Sequence, residues 1–516
     1  MKTIYLIIFI TFLLSACNFR PTYKNKNASI DARVEDLLKR LTFDEKILLI
    51  GGDSTSFATS GIERLGVPPL KMSDGPLGVK QKKSTAFPAG VVMASTWDTA
   101  LIFRVGEAIG KECRATGINV LLGPCINIHR FPYGGRNFES YSEDPYLVSR
   151  IAVAYVKGLQ SQKIIPNVKH FACNNQEWHR REVDVKINER ALREIYLPGF
   201  KACILEAGAM GVMSAYNMVN GYHCSENKHL LTDILKNEWN FQGIVISDWV
   251  SVYNTYGPYN NGLDIEMPQL LYYKKDSIEK YIKEGKILPN NIDDKVRRAL
   301  RVRFWAGMFD NEIKSDTSVL QSNEHKNLAR EVAEKGIILL KNEGILPIKK
   351  EKIKKIAVIG PAAEYMPHNG GGSAYVEPVY TVSTYEAIKN IAGNNIEVVT
   401  AKGDPFPKQK ISIIEDKYLF SPDNIDINGL QAEYYNNPDF KGDPVLVRTD
   451  YTINFNWQGG SPDATIPNDN FSVVWKGRIK PSKSGMYELQ LRSDDGSRLY
   501  VNGKLIIDNW GIHGSE

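Results

Sequence analysis

Between about residue 100 and residue 310 the chain repeats one order of positions: a short apolar run, a polar cluster at its end, then a longer stretch with apolar residues three and four apart. The apolar runs are 118–130 (INVLLGPCINIHR), 164–171 (IIPNVKHF), 208–216 (GAMGVMSAY) and 241–249 (FQGIVISDW). They deliver, in turn, the cluster 134–140 (GGRNFES), the pair Lys169 and His170, Tyr216, and the pair Asp248 and Trp249. The intervening stretches 144–161, 188–208 and 229–240 carry the helical period. Strand and helix alternating at this spacing predict a parallel sheet, and the number of units favours a closed (β/α)8 TIM-like barrel over residues 32–310. A strongly periodic helix over 292–309 closes it.

Downstream the pattern changes twice. A polar linker is expected over 311–324, followed by an α/β unit over 325–417, the first part of an α/β sandwich domain. Its expected elements are a helix at 325–342, a strand at 355–360, a glycine-rich loop at 370–378, a helix at 384–391 and a strand at 396–401. The IAVIGPAA run in this unit lacks the GxGxxG spacing of a dinucleotide fold, which excludes that class. From 418 to 516 the short alternating strands with turn signals predict an all-β sandwich. Two strands cannot cover a helix pair on both faces, and the β unit stops shortly after Trp510, so both units read as incomplete and an interrupted reading frame is expected.

Composition changes this picture only at the margins. The chain has 516 residues, 43% of them hydrophobic, which is ample for two or three cores. The net charge of +5 is mild, and the basic run 349–356 has no interleaved aromatic residues, so nucleic acid is not an expected partner. Residues 1–17 join Lys2 to an apolar stretch too short to span a bilayer, which reads as a signal peptide. Its LSAC ending resembles a bacterial lipobox, which makes Cys17 the expected lipidation site, residues 18–31 a tether, and the protein an exported lipoprotein on the periplasmic or cell-surface side of a membrane. The remaining cysteines, Cys113, Cys125, Cys173, Cys203 and Cys224, are odd in number and form no CxxC pair, so neither a disulfide framework nor a metal site is signalled. No cofactor is expected.

A carboxylate at the end of a hydrophobic strand is what a barrel enzyme needs at the mouth of its active site, which makes Asp248 the candidate nucleophile. Taken alone, an aspartate after a strand more commonly caps the next helix. Two adjacent cationic candidates, Lys169 and His170, at the end of a buried strand would be costly without an anionic partner or a polar ligand. Tyr216 is compatible with a core position as well as with a site.

An ordered set of motifs then carries a family resemblance: 33–47 (RVEDLLKRLTFDEKI), 73–80 (SDGPLGVK), 87–98 (FPAGVVMASTWD), 123–147 (GPCINIHRFPYGGRNFESYSEDPYL), 169–177 (KHFACNNQE), 212–221 (VMSAYNMVNG) and 246–249 (ISDW). The chain resembles a glycoside hydrolase family 3 β-glucosidase, and residues 493–514 resemble a PA14 insertion. The resemblance implies a retaining, exo-acting enzyme that removes terminal β-D-glucosyl residues by double displacement, with Asp248 as nucleophile. It implies that Asp74, Arg136, Lys169, His170, Arg180 and Tyr216 bind the sugar and that Trp249 forms an aromatic wall. Asp74 in its DGP setting could equally be a turn residue, and Arg136 half of a structural ion pair. Retaining glycosidases need a second carboxyl group about 5 to 5.5 Å from the nucleophile. The family takes it from beyond the PA14 insertion, so no acid/base residue is expected in this chain, although Glu139, Glu143, Glu177 and Glu266 lie in barrel loops. A β-xylosidase of the same family is an alternative. So is a lipid-anchored, non-catalytic carbohydrate-binding protein, in which Asp494 and Asp495 would hold calcium; a turn is the commoner role of DDG.

Overall fold

The computed structural model describes residues 21–310, 316–320, 322–366, 368, 370–378, 380–403, 412–457 and 460–513. Cys17, the signal segment and part of the expected linker lie outside the described residues. The chain divides into two compact units, one through Ala401 and one from Lys402.

In the first unit, five parallel strands follow one another across a sheet: β1 (Met72–Asp74), β2 (Val120–Leu122), β3 (Ile165–Phe171), β4 (Gly211–Ser214) and β5 (Ile244–Ser247). Single bridges close the ring. Ile246 pairs in parallel with Ile265, Glu266 in parallel with Gly51, Gly52 antiparallel with Thr59, and Ala58 antiparallel with Lys71, next to β1. Eight positions therefore surround the axis, but the expected eight parallel strand–helix units are not all present. The position at Ala58 and Thr59 runs antiparallel, and no helix separates it from Gly51 and Gly52. Close packing explains this corner: a Cβ on Gly51 would lie 2.1 Å from Leu270 Cδ2 and one on Gly52 1.9 Å from the Pro268 carbonyl oxygen. Asp53 then turns the chain back by accepting from Thr55 N at 2.8 Å.

Strand alternation sorts the side chains into two cores. Met72, Val120, Leu122, Ile165, Met213, Ile244, Ile246 and Ile265 form one cluster, while Leu121, Val168, Val212 and Val245 belong to the larger cluster shared with the helices. Strands buried on both faces are what a continuous apolar run encodes. Each such side chain contributes about 1.5–3 kcal/mol through burial. The same two-residue period puts Asp248 in the parity of Ile244 and Ile246, and Asp74 in that of Met72, so the polar residues continue the inner rows at the strands' carboxyl ends.

The helices cover the outside. Pro145–Ser161 packs between Thr99–Ala115 and Pro198–Leu205, and Asn291–Trp305 packs on Ile30–Leu38. The segment expected to be a tether is part of this fold over its described residues. Tyr23 is buried and its N–H donates to Asp36 at 2.9 Å, while the helix from Ile30 is tied down by Arg33, which grips Asp310 at 2.6 and 2.7 Å. The helix expected over 325–342 runs instead from Asn323 to Gly336. Ser322 caps its start by accepting from His325 N, and Gly336 lies so close to Val92 that a Cβ there would meet it at 2.6 Å. After it come Lys355–Ile359 and Glu397–Ala401, a parallel pair, with the helix Thr384–Ala392 between them in sequence.

In the second unit, Leu430–Tyr435 is the centre of a three-stranded antiparallel sheet, flanked by Leu446–Asp450 and Ser472–Lys476. Ser497–Val501 and Lys504–Asn509 form a separate hairpin.

Candidate active site

β5 ends at Ser247, and the Asp248 N–H still pairs with the Ser214 carbonyl at 3.2 Å, so the strand ladder holds the backbone of Asp248. One carboxylate oxygen, Oδ1, accepts from the Trp249 N–H at 2.7 Å. The other, Oδ2, is buried, lies 3.5 Å from His170 Nε2 and receives no hydrogen bond among the described residues. Burial pushes the Asp248 carboxyl above its ordinary value, opposed by the charges of Arg136 and Lys169, the Trp249 N–H and the charge of Arg180.

β3 brings Lys169 and His170 to the same end, both about 1% exposed. His170 is clamped by Asn127, whose amide pairs with both its backbone groups and whose Oδ1 lies 3.1 Å from Nδ1. Burial, and after it the charges of Arg136, Lys169 and Arg180, hold the imidazole well below its ordinary range, so the ring is neutral near pH 7. Arg136 is paired with the buried Glu139 and donates from Nη2 to Ser373 Oγ at 3.0 Å. Burial alone would raise the Glu139 carboxyl, but Arg136, Lys169 and Arg180 together keep it below its ordinary value. Arg180 donates to Glu177 at 2.7 Å and lies 4.1 Å from the centroid of the Tyr216 ring, a cation–π contact. Burial first, and then the charge of Asp248, push the Tyr216 phenol up.

Asp74 enters from β1 and pairs with Lys80 Nζ at 3.3 Å, and Lys80 also donates to the Gly372 carbonyl at 3.2 Å. Gly372 and Ser373 are neighbours in one loop, so this loop joins the Asp74 side of the site to the Arg136 side. Trp249 donates from its indole to the Ser56 carbonyl at 3.0 Å, with its ring 5.2 Å from Phe57. A small cleft adjoins the cluster, walled among others by Cys125, Asn127, Arg136, His170, Asn174 and Glu177.

The strand ends thus gather Asp248, Lys169, His170, Arg136, Arg180 and Tyr216 into one electrostatic cluster, with Asp74 connected through Lys80. The sequence reading missed Asn127, Lys80 and Ser373. Lys80 stands inside a quoted motif and Ser373 inside the glycine-rich loop, but neither has a periodic signal that marks it. Of the other acids, Glu139 and Glu177 are held by arginines, and Glu266 accepts from Tyr272 N and Tyr273 N. Burial raises Glu266 to about 7, opposed by those backbone donors. Asp495 accepts from His513 N at 3.1 Å, and the described residues contain no group of three or more acidic, histidine or cysteine side chains that could hold a metal. All five cysteines from Cys113 to Cys224 are free and buried, and burial pushes the Cys125 thiol up to about 12.

Comparison with known proteins bears on the family of the chain. Residues 55–302 match the glycosyl hydrolase family 3 N terminal domain, and residues 426–516 match the PA14 domain. The chain is similar to a beta-glucosidase of Rhizobium radiobacter, 36% identical over 92% of this chain and 57% of that one. It is also similar to thermostable beta-glucosidase B of Acetivibrio thermocellus, 39% identical over 72% of this chain and 50% of that one. Among solved structures, the beta-glucosidase of Kluyveromyces marxianus in complex with glucose superposes with a TM-score of 0.69 at 35% identity, covering 92% of this chain and 58% of that one. Beta-glucosidase 3B of Thermotoga neapolitana in complex with glucose gives 0.66 at 36% identity, over 71% and 54%. The chain spans between half and three-fifths of the length of these relatives.

Proposed function

We propose that this chain, whose residues 55–302 match the glycosyl hydrolase family 3 N terminal domain, is a retaining, exo-acting β-glucosidase whose nucleophile is Asp248. The observation that carries this reading is Asp248 Oδ2. It is a buried carboxylate oxygen with no hydrogen bond among the described residues, at the carboxyl end of a barrel strand and within a ring of cations. Leaving such an atom unpaired costs free energy, and that cost is recovered only if something else uses the atom.

In this reading Asp248 attacks the anomeric carbon of a terminal β-D-glucosyl unit, the aglycone departs, and water then releases glucose from the covalent intermediate with retention. Arg136, Lys169, His170, Arg180 and Asp74 hydrogen-bond the sugar hydroxyls. Tyr216 adjoins the nucleophile, and Trp249 offers an apolar face to the ring. Glu139 and Glu177 are committed to Arg136 and Arg180, so we assign proton donation to neither. We further propose that this chain supplies no general acid; glycosylation then slows by about 10² to 10⁴, and the loss is smallest for good leaving groups. An activated aryl glucoside should therefore label or turn over readily while cellobiose reacts slowly.

The test is covalent trapping with a dinitrophenyl 2-deoxy-2-fluoro-β-glucoside, followed by peptide mapping by mass spectrometry. The expected product is a fluoroglucosyl ester on Asp248. A label on another side chain, or equal and vigorous turnover of aryl glucoside and cellobiose, overturns the reading. The corresponding xyloside run in parallel decides between glucosidase and xylosidase, with faster trapping by the glucoside expected. We further propose export and lipid anchoring through Cys17, supported by the LSAC sequence at residues 14–17; loss of membrane association in Cys17→Ala tests it.

A further inference from the structure

We propose that Asn127 is a positioning residue that sets the tautomer of His170, so that the ring carries its proton on Nδ1 and turns a bare Nε2 toward Asp248. The orientation of one amide is fixed by the backbone beside it. Residues 124–126 run beside the end of β3, where the Lys169 N–H donates to the Pro124 carbonyl at 3.0 Å and the Ile126 N–H to the Lys169 carbonyl at 2.8 Å. At the next position the side chain of Asn127 continues this ladder. Its Oδ1 accepts from the His170 N–H at 2.9 Å, and its Nδ2 donates to the His170 carbonyl at 2.9 Å. A backbone N–H only donates and a carbonyl only accepts, so these two bonds leave no freedom to exchange the oxygen and nitrogen of the amide.

The same Oδ1 lies 3.1 Å from His170 Nδ1. It has a second lone pair to offer, and an unprotonated Nδ1 would place two lone pairs against each other. The competing arrangement, a Cys125 thiol donating to a bare Nδ1, has only the longer Sγ–Nδ1 separation of 3.8 Å in its favour. Nδ1 therefore holds the proton. The charged and titratable groups that act on the ring are Asp248, Arg136, Lys169, Arg180 and the thiol of Cys125. Burial and the three cations disfavour a second proton, so Nε2 remains an acceptor. The 3.5 Å between Nε2 and Asp248 Oδ2 is longer than an N–H···O bond, in keeping with a bare Nε2 and with Oδ2 having no hydrogen bond from this ring.

Two consequences follow for the reaction. Asp248 is spared a donor that would stabilise its charge and blunt its attack, and Nε2 is left to accept a hydrogen bond from a substrate hydroxyl. This part rests on Asp248 being the nucleophile; the tautomer itself does not. The test is the imidazole ¹⁵N spectrum of histidine-labelled wild-type protein, with His170 assigned by its loss in His170→Gln. A protonated Nδ1 and a bare Nε2 are expected at neutral pH. A protonated Nε2, or an imidazolium, overturns the inference. Asn127→Leu should release the tautomer, lower fluoroglucoside trapping about tenfold, the effect of one hydrogen bond to a charged group, and move its acidic limb to lower pH as Nε2–H begins to donate to Asp248. An Asn127 that only braces the backbone would leave that limb in place. If the leucine variant fails to fold, the wild-type spectrum still decides. If trapping of wild type misses Asp248, the proposed function falls while the tautomer stands. If Asp248 is trapped but Nε2 is protonated, this inference alone falls.

Discussion

Asp248 at the barrel mouth and Asp450 in the β unit are both buried, and the two are treated in opposite ways. In the β unit Asp450 is fully paired: Oδ1 accepts from Arg448 Nε at 2.7 Å, and Oδ2 accepts from the Tyr434 hydroxyl at 2.6 Å and the Trp475 indole at 2.9 Å. At the barrel mouth Asp248 Oδ1 accepts the Trp249 N–H, the Tyr216 phenol acts on the carboxylate from beside it, and Oδ2 receives no hydrogen bond by geometry among the described residues. A buried carboxylate that is fully satisfied strengthens its surroundings, whereas one left with a bare oxygen stores a cost. The contrast sets a fully paired aspartate apart from the proposed nucleophile without reference to any relative.

The sharpest way to break the contrast is to exchange both carboxylates for amides. Asp248→Asn should lower fluoroglucoside trapping on the order of 10³-fold or more, with no loss of thermal stability, because a poorly satisfied buried charge is removed. Asp450→Asn should leave trapping unchanged and cost about 1–3 kcal/mol in denaturant unfolding of the β unit, because it replaces an acceptor that three donors share. Trapping lost in the second variant and kept in the first would invert the assignment.

The cores differ in the same sense. Ile246 is fully buried in the barrel interior and Val447 of the β unit is half exposed. Ile246→Ala should cost about 2–5 kcal/mol and Val447→Ala stay within about 0.5 kcal/mol, both read from urea unfolding. Smaller still, Ser373→Ala removes one acceptor from Arg136 and should raise KM for an aryl glucoside about fivefold, with kcat little changed.

The subtlest comparison lies between two carboxyls within the barrel. Asp248 is raised in the folded protein, so its contribution to stability is complete below its unfolded pKa and is lost as pH rises through the raised value. Glu139 is depressed, so its contribution is complete above its unfolded pKa and is lost as pH falls through the depressed value. Urea unfolding across acidic pH should show these opposite slopes disappear in Asp248→Asn and Glu139→Gln respectively. The acidic limb of trapping should lie above the ordinary aspartate value of 3.8.

Much of the barrel was legible because strands buried on both faces must be written as unbroken apolar runs, and the helices between them must carry the 3.6 period. Runs such as 244–247 therefore marked both the strand and the residue at its end, Asp248. The positions around Gly51, Gly52, Ala58 and Thr59 were not legible, because each contributes a single bridge and no periodic signal. The packing of residues 21–31, within the expected tether, was hidden for a related reason: a polar segment can still be tied down by one buried ring, as Tyr23 is.

What the chain's own order of residues determined was the set of strands, their direction, and the polar groups carried past their ends, since a two-residue period decides on which face each side chain emerges. What only tertiary structure decided was the company those groups keep: Asn127 against His170, Lys80 against Asp74, and Ser373 against Arg136. These partners are separated by 43, 6 and 237 positions. Hydrogen-bond geometry, and with it the location of a proton or a bare carboxylate oxygen, is set by distances of tenths of an ångström that no spacing along the chain encodes.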